Sequence, residues 1–294
     1  MTTAPSSTPA PATVCQRWTA RRDSYRPAGE PIDPSRYGVE VISEQQARDY
    51  VVAHHYSGSY PAARCRVGLF RTTGASRELV GAAVFSVPAG PKVISAWLPH
   101  LADHLEGVEL GRLVLADDVP GNGETWFLAR AFEALVAELP NVRGVLSFAD
   151  PAQRLAANGR VITPGHVGTI YQALNGRHLG RSTPRSLWLD REGQVVSERA
   201  MAKLRTDDRG AAYAYQVLRA AGAPERLPLE AGADYVRRAL RSGPFRLIRH
   251  PGNLAYTWAV GDRRVRRAYD QVAMPRLPFP KADALVRPDH RVAA

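Results

Sequence analysis

The sequence predicts an α/β (α+β) fold in which a mixed central sheet is flanked by helices and followed by a helical, Arg-rich C-terminal extension. Three observations support this prediction. The chain has 294 residues with 45% hydrophobic content, which is enough to bury a sizeable core. Short apolar runs alternate with helical periodicity from about residue 38 to residue 190. From about residue 197 the pattern becomes mainly helical and rich in arginine.

Local signals define the individual elements. Ser43 is a suitable N-cap, and Gln46 stands near the capping-box position. Thr72-Thr-Gly-Ala-Ser joins two apolar stretches and predicts an antiparallel hairpin. The predicted elements are strand 38–42, helix 44–54, strands 66–71, 78–87 and 108–115, helix 124–139, strand 143–148, helix 166–175, strand 186–190, helices 197–205, 208–222 and 230–241, and strand 253–260.

Composition divides the chain into four regions. Residues 1–36 are rich in Pro, Ser, Thr and Arg and predict a disordered tail. Residues 37–192 predict the core in which we expect the catalytic site, residues 193–282 an extension of helices and a strand whose many arginines suit contact with DNA, and residues 283–294 a flexible tail.

Charge and cysteine usage limit the partners and the compartment. There are 39 Lys and Arg against 28 Asp and Glu, a net charge of +11, which favours a nucleic-acid partner. Cys15 and Cys65 form neither a CxxC pair nor a disulfide framework. No apolar run approaches the roughly 20 residues of a membrane span, and the N-terminus lacks a signal-peptide pattern. We therefore expect a protein that stays in the cytoplasm of the cell that makes it, without a membrane partner.

Polar residues near strand ends predict an active site, because open α/β sheets keep their chemistry there. Arg112 is expected to hold an anionic donor or a DNA phosphate. A structural ion pair with Glu109 is the alternative, but a regular strand would project these two side chains to opposite faces. Asp150 is a candidate general base for an amine or a hard metal ligand, with a turn-forming role as the alternative. We expect Arg112, Asp150 and Tyr171 to converge on one cleft.

Other side chains complete the expected site. Tyr56 and Tyr171 could stack on an extruded base or donate a phenolic proton, and half-buried packing is the alternative. Ser147 is a candidate catalytic hydroxyl, although no Ser/His/Asp triad can be assembled. We expect contact with substrate or DNA from Ser57, Tyr60, His166, Arg263, Arg264, Arg266 and Arg267. For the arginines, a solvated face is the alternative.

A metal site is a further alternative. His54, His55, His166 and Asp150 are candidate ligands for divalent iron or another metal, because imidazole and carboxylate ligands combine in such sites. His54 and His55 would point about 100° apart in a helix, so at most one of them is expected to bind the metal. An ordinary hydrogen-bonding role remains the alternative for each histidine.

The order of elements is similar to that of the GNAT acetyltransferase architecture. In that fold, the loop after the central strand holds a pyrophosphate at a helix N-terminus. The corresponding loop here is Asp117-Asp-Val-Pro-Gly-Asn-Gly-Glu124, whose candidate cofactor-binding residues are Gly121 and Gly123, together with Glu109 and Arg112 in the preceding strand. The three carboxylates of this loop would repel a pyrophosphate. Acyl-CoA is therefore compatible with the predicted fold but disfavoured by the loop.

Several motifs occur in a fixed order: His54-His-Tyr-Ser-Gly-Ser-Tyr-Pro61, Glu109-Leu-Gly-Arg-Leu, Ser147-Phe-Ala-Asp150, Gly165-His-Val-Gly-Thr-Ile-Tyr-Gln-Ala173, Asn253-Leu-Ala-Tyr-Thr-Trp, Arg263-Arg-Val-Arg-Arg and Pro278-Phe-Pro-Lys281. Together they resemble the Mom-type family of phage DNA-modification proteins over about residues 38–282. The resemblance implies a GNAT-like protein that converts the exocyclic amine of adenine in phage DNA to a carbamoylmethyl derivative and so protects the genome against restriction enzymes.

Two other functions stay open at this stage. One is a GNAT N-acyltransferase that acts on a protein or a small-molecule amine, and the other is a non-catalytic DNA-binding protein. The expected partners are double-stranded DNA and a small-molecule donor whose identity the sequence does not specify. A homodimer is left open.

Overall fold

The structure, a computed structural model, describes residues 14–19, 22–27, 31–88, 90–163 and 165–286. None of the helices in these ranges combines the length and the apolar character that a membrane span requires.

Strands and helices alternate through the first part of the chain. The elements are β1 (Val14–Thr19), β2 (Arg22–Pro27), β3 (Tyr37–Val41), α1 (Glu44–His54), β4 (Ala63–Thr73), β5 (Ser76–Ser86), α2 (Pro91–Trp97), β6 (Gly107–Leu115), α3 (Gly123–Glu138) and β7 (Gly144–Ala149). Short 3-10 turns occupy Pro34–Arg36 and His104–Glu106.

The second part adds short strands and more helices. The elements are β8 (Arg154–Leu155), β9 (Val161–Thr163), α4 (Thr169–Ala173), β10 (Arg177–Arg181), β11 (Arg185–Leu189), α5 (Glu198–Thr206), α6 (Ala211–Ala220), α7 (Gly232–Ser242), β12 (Arg246–His250), β13 (Leu254–Ala259) and α8 (Arg263–Val272), followed by a 3-10 turn at Ala282–Ala284.

A seven-stranded sheet has the order β10-β13-β7-β6-β5-β4-β3. Strands β3 to β6 pair antiparallel, whereas β6 and β7 pair parallel. The predicted mixed α/β fold, with a central sheet flanked by helices, is confirmed.

Two compact units divide the chain. Unit 1 consists of Met1–Ser147, Ile170–Arg177 and Thr257–Pro275, and unit 2 consists of Phe148–Thr169, His178–Tyr256 and Arg276–Ala294. Both units are discontinuous in sequence, in contrast to the continuous regions 37–192 and 193–282 that composition predicts.

Unit 1 has a core between its helices and the sheet. Ser43 caps α1 through a reciprocal capping box with Gln46, as the sequence predicts. Helix α3 buries one face, formed by Phe127, Leu128, Ala131 and Leu135. A second cluster packs α1 against the strands through Ile42, Ala47, Val51, Phe70, Ala82, Val84 and Val114.

Unit 2 has its own core, formed by α5, α6 and α7. Its buried residues are Met201, Leu204, Ala214, Leu218, Ala223, Tyr235, Val236, Ala239 and Leu240. Gly232 lets two helices approach closely, because a Cβ at this position would lie 1.9 Å from the carbonyl oxygen of Leu204. Strands β11 and β12 form a separate antiparallel ladder from Arg185 opposite His250 to Leu189 opposite Arg246.

Three local predictions differ from the structure. Residues 14–19 and 22–27 pair antiparallel as β1 and β2, within the stretch predicted to be a disordered tail. Composition misses it because a hairpin is set by local strand pairing. Helix 166–175 is shorter, because Gly165 and Gly168 adopt positive φ angles of 74° and 75° and α4 begins only at Thr169. Residues 263–272 form a helix that periodicity did not indicate.

Candidate active site

A β-bulge brings Glu109 and Arg112 to the same face of β6. On β5, Ser86 pairs with Glu109 and Val84 pairs with Arg112. Only one residue separates Ser86 from Val84, whereas two separate Glu109 from Arg112, so Gly111 is an extra residue in β6. Residues two apart on a strand share a face, and a bulge adds one unpaired residue. The prediction that Glu109 and Arg112 project to opposite faces is therefore wrong.

Gly111 makes this bulge sterically possible. A Cβ at Gly111 would lie 2.5 Å from the Ser86 hydroxyl oxygen, which donates to the carbonyl oxygen of Glu109 at 3.2 Å. A larger residue would therefore disturb the backbone that orients Glu109.

Replacing Gly111 with Ala is expected to lower the free energy of unfolding by about 1–3 kcal/mol, the usual cost of overpacking. Urea unfolding provides the measurement. Adding Ser86→Ala to Gly111→Ala should restore part of the loss, because it removes the overlapping oxygen. Gly90→Ala is the control, since an added Cβ there meets no atom within 4 Å. Equal midpoints for Gly111→Ala and Gly90→Ala would contradict the steric argument.

The strands β6 and β7 diverge beside this bulge, at a position that we call the β6–β7 parting point. Their parallel pairing ends at Glu109 opposite Leu146, although β6 continues to Leu115 and β7 to Ala149. Ser147 lies at the parting point, where its buried hydroxyl donates to the carbonyl oxygen of Leu110 at 3.0 Å. A side-chain hydrogen bond also joins Ser147 to Tyr171.

We call Tyr56, Glu109, Arg112, Ser147 and Tyr171 the tyrosine–arginine cluster. All five residues belong to unit 1, and electrostatic interactions connect Arg112 with Tyr56, Glu109 and Tyr171. Three regions supply them: the loop after α1, the β6–β7 parting point, and α4. The predicted convergence of Arg112 and Tyr171 is consistent with this arrangement, whereas Asp150 belongs to unit 2.

Burial sets the protonation states in the cluster. Tyr171 is 9% exposed, and desolvation raises the pKa of its phenol to about 12, so it carries its proton at neutral pH. Desolvation also raises the pKa of Glu109, while Arg112 lowers it. The pKa of Arg112 is lowered by desolvation. The cluster therefore offers a phenolic donor beside a carboxylate of increased basicity.

Tyr171 also has a packing role. Its ring meets Trp258 edge to face, with ring centroids 5.6 Å apart, and the Trp258 indole N–H donates to the carbonyl oxygen of Leu174 at 3.1 Å. The sequence interpretation set packing against function at this position. The structure shows that the ring packs while the phenol contacts Ser147.

The loop after α1 holds the Arg112 guanidinium. Its Nε donates to the carbonyl oxygen of Ser59 at 3.0 Å and its Nη2 to the Ser59 hydroxyl at 2.8 Å. Its Nη1 donates to the carbonyl oxygen of Gly111 at 2.6 Å. Arginine has five N–H donors, so these three bonds fix the guanidinium and leave two donors for a ligand.

Other residues of this loop make internal contacts. The Ser57 backbone N–H donates to His55 Nδ1 at 3.2 Å, and the His55 and Tyr56 rings stack with centroids 4.3 Å apart. Tyr60 lies under the Arg48 guanidinium at 4.7 Å. DNA contact by Ser57 and Tyr60 stays a prediction.

The loop before α3 does not fit a pyrophosphate well. Gly121 accepts a backbone hydrogen bond from Ile32 at 2.9 Å. Gly123 opens the helix behind Asn122, which has a φ of 61° and makes no side-chain cap. Asp118 pairs with Arg71 at 2.6 Å. Two further carboxylates, those of Asp117 and Glu124, lie in this short segment and would repel a pyrophosphate.

Asp150 lies in a buried polar network of unit 2. Its Oδ1 accepts from His250 Nε2 and from the Ala152 backbone N–H, both at 2.9 Å. Its Oδ2 lies 3.8 Å from Arg154 Nη2. Burial raises the pKa of Asp150, but His250, Arg154 and Ala152 outweigh it, so the pKa lies below its ordinary value. These contacts favour a structural role, and a base role for Asp150 stays a prediction.

The predicted metal ligands do not form a complete set in the part of the chain that the structure describes. No three His, Cys, Asp or Glu side chains there lie close enough to hold a metal. His54 packs on Tyr50 with ring centroids 4.4 Å apart. His166 lies before α4, and burial lowers its pKa while Asp150 raises it.

Sequence reasoning missed Ser59, His250 and Arg154. The Ser57-Gly58-Ser59 segment was a usable signal for the first, because a serine offers both its hydroxyl and its carbonyl oxygen as acceptors. Long-range pairing brings His250 to Asp150, 100 residues away, and no local signal could have indicated it.

Comparison with known proteins gives a family match and distant structural similarities. The family model described as "Mom protein family" matches residues 36–225. No curated protein matches this chain. A solved structure, "Tandem GNAT protein from the clavulanic acid biosynthesis pathway (without AcCoA)", is 11% identical over 77% of this chain and 75% of that chain, with a TM-score of 0.31.

Proposed function

Because this chain belongs to the Mom protein family, we propose that it is a transferase that modifies the exocyclic amine of adenine in DNA. The product is a carbamoylmethyl or a related acyl or alkyl derivative, which protects the DNA of a phage or its host cell against restriction. The observation that supports a catalytic rather than a structural role is the tyrosine–arginine cluster.

The chemistry requires positioning and proton transfer. The N6 amine of adenine is a poor nucleophile because its lone pair is delocalised into the ring. As N6 bonds to the carbon of the donor, that carbon loses its leaving group, which keeps the electron pair, and N6 loses one proton. A base must accept the proton, and a donor must stabilise the charge on the leaving group.

The cluster contains groups suited to these tasks. Glu109 accepts the amine proton, because burial raises its pKa and so increases its basicity. Tyr171 keeps its proton at neutral pH and, when the ligand binds, redirects its single O–H from Ser147 to the developing negative charge. Arg112, with two donors beyond its three protein contacts, holds the anionic part of the donor.

The base must leave the duplex to enter such a site. Enzymes that act on a base extrude it and stack it between aromatic or apolar side chains. Tyr56, which lies next to Arg112 and Tyr171 in the electrostatic network, is the residue we assign to this stacking.

Mass spectrometry of nucleosides from cells that express the protein tests the proposal. We expect an adenosine adduct with the natural chain and its loss, by about 10²-fold or more, with Arg112→Ala, because misplacement of a reactant carries that cost. Lys92→Ala, which removes an exposed cation from helix α2, should leave the adduct unchanged. Unmodified DNA with the natural chain would contradict the proposal. Acetyl-CoA binding without an adduct would instead support an N-acyltransferase acting on a protein or small-molecule amine.

A further inference from the structure

Helix α8 of unit 1 is firmly held on one side. Asp262 caps its N-terminus by accepting from the Val265 backbone N–H at 2.8 Å. Tyr269 is buried, and its hydroxyl hydrogen-bonds with that of Thr257 at 2.8 Å. Asp270 accepts from Arg177 at 2.8 Å. These contacts fix which face of the helix points outward.

The outward face is lined by arginine. With about 100° between successive residues, Arg263, Arg264 and Arg267 lie on the side opposite Tyr269. Together with Ala268 and Gln271 they line an open groove of about 530 Å³. We call these five residues the arginine face.

The positive charge of this face is not neutralised by the protein. Arg263, Arg264, Arg266 and Arg267 are exposed, and none forms an ion pair with a carboxylate among the residues that the structure describes. By contrast, in helix α7 Arg237 pairs with Asp234 and Arg238 with Glu230. The three cations of this face, and Arg266 beside them, repel one another without counter-charges, which indicates a face suited to an external anion.

The shape and chemistry of this face select the anion. Guanidinium groups bind phosphate oxygens through two parallel hydrogen bonds. Arg263 and Arg267 are one turn apart, about 6 Å along the helix axis, so their long side chains can reach neighbouring phosphates. Ala268 and Gln271 provide no apolar side chain large enough to insert into a membrane.

We propose that the arginine face binds the phosphate backbone of duplex DNA and positions the duplex independently of its sequence. This inference rests on the proposed function, since DNA is the substrate assigned there. Phosphate contacts fix orientation and supply most of the salt-dependent affinity.

The test is the salt dependence of binding by the full chain. Fluorescence anisotropy with a labelled duplex, without any group donor, is measured between about 50 and 200 mM salt. Each phosphate contact contributes about 0.9 to the slope of log affinity against log salt. A triple variant should therefore reduce this slope by about 2.7 if each replaced arginine contacts one phosphate. The variant combines Arg263→Gln, Arg264→Gln and Arg267→Gln.

A charge-matched control separates a docking face from net charge. The control is a second triple variant, which combines Arg199→Gln, Arg209→Gln and Arg241→Gln. It also removes three exposed cations and should change the slope by less than about 1. Equal slopes for the two triple variants would overturn the proposal, as would displacement of the duplex by polyglutamate at equal charge concentration. Because no donor is present, loss of DNA binding is distinguishable from failure of the modification chemistry. A natural chain that binds DNA through this face but leaves adenine unmodified would contradict only the proposed function.

Discussion

Replacing Tyr171 with Phe is expected to lower the rate of adenine modification by about 10²–10⁴-fold, the usual contribution of a positioned proton donor. The change keeps the ring that packs on Trp258 and removes the phenol that bonds Ser147. We therefore expect little loss of stability beyond the roughly 0.5–1.5 kcal/mol of one hydrogen bond. The measurement is the time course of adduct formation by nucleoside mass spectrometry, with urea unfolding of the same variant alongside.

The pH dependence distinguishes the proposed roles. Tyr171 has a pKa of about 12, so its donor form is present throughout the range from pH 6 to 10, and the rate should not fall there because of Tyr171. Glu109 acts in its ionised form, and burial raises its pKa, so the rate should fall as the pH decreases through that raised pKa. Glu109→Gln should abolish this acid limb. A rate that increases steadily toward pH 12 would contradict the assignment, because it would indicate a phenolate base.

Local rules explain which elements were predictable. The capping box of Ser43 and Gln46, the β4–β5 hairpin and the three helices of unit 2 all depend on neighbouring residues, and the structure contains them. Strands β10 and β12 were not predicted. They are short and rich in arginine and histidine, so tertiary pairing rather than propensity determines them.

The site was predictable in composition but not in geometry. Glu109 and Arg112 were identified from their motif, but a bulge at Gly111 reverses their expected relation. A single extra residue in one strand leaves no periodic signal, because the apolar pattern on either side of it is short. The partner strand determines the register, and it lies more than 20 residues earlier in the sequence.

Replacing Asp150 with Ala is expected to lower the free energy of unfolding by about 3–5 kcal/mol, the cost of removing one partner of a buried charge pair. Arg154 is 9% exposed at its side chain and Asp150 is 19% exposed, so water can compensate little. His250, whose side chain is fully buried, would also lose the acceptor of its Nε2 proton. That proton is assigned to Nε2 because Nδ1 accepts from the Gly252 backbone N–H at 3.0 Å.

Two comparisons make this prediction specific. Asp150→Asn keeps an oxygen that can accept from His250 and Ala152 but removes the charge opposite Arg154. Its free energy of unfolding should therefore fall by less than that of Asp150→Ala. Asp234→Ala, which breaks the exposed pair with Arg237, should cost no more than about 1 kcal/mol. Equal, small losses for all three variants would contradict a structural role for Asp150.

Acid titration provides an independent check of the same network. The folded-state pKa of Asp150 lies below its ordinary value, so its charge stabilises the fold fully above the unfolded-state pKa of about 3.9. That contribution is lost as the pH falls through the folded-state pKa. The difference in stability between the natural chain and Asp150→Asn should therefore be constant near neutral pH and should shrink below about pH 4. A difference that persists unchanged at lower pH would show that the charge of Asp150 does not stabilise unit 2.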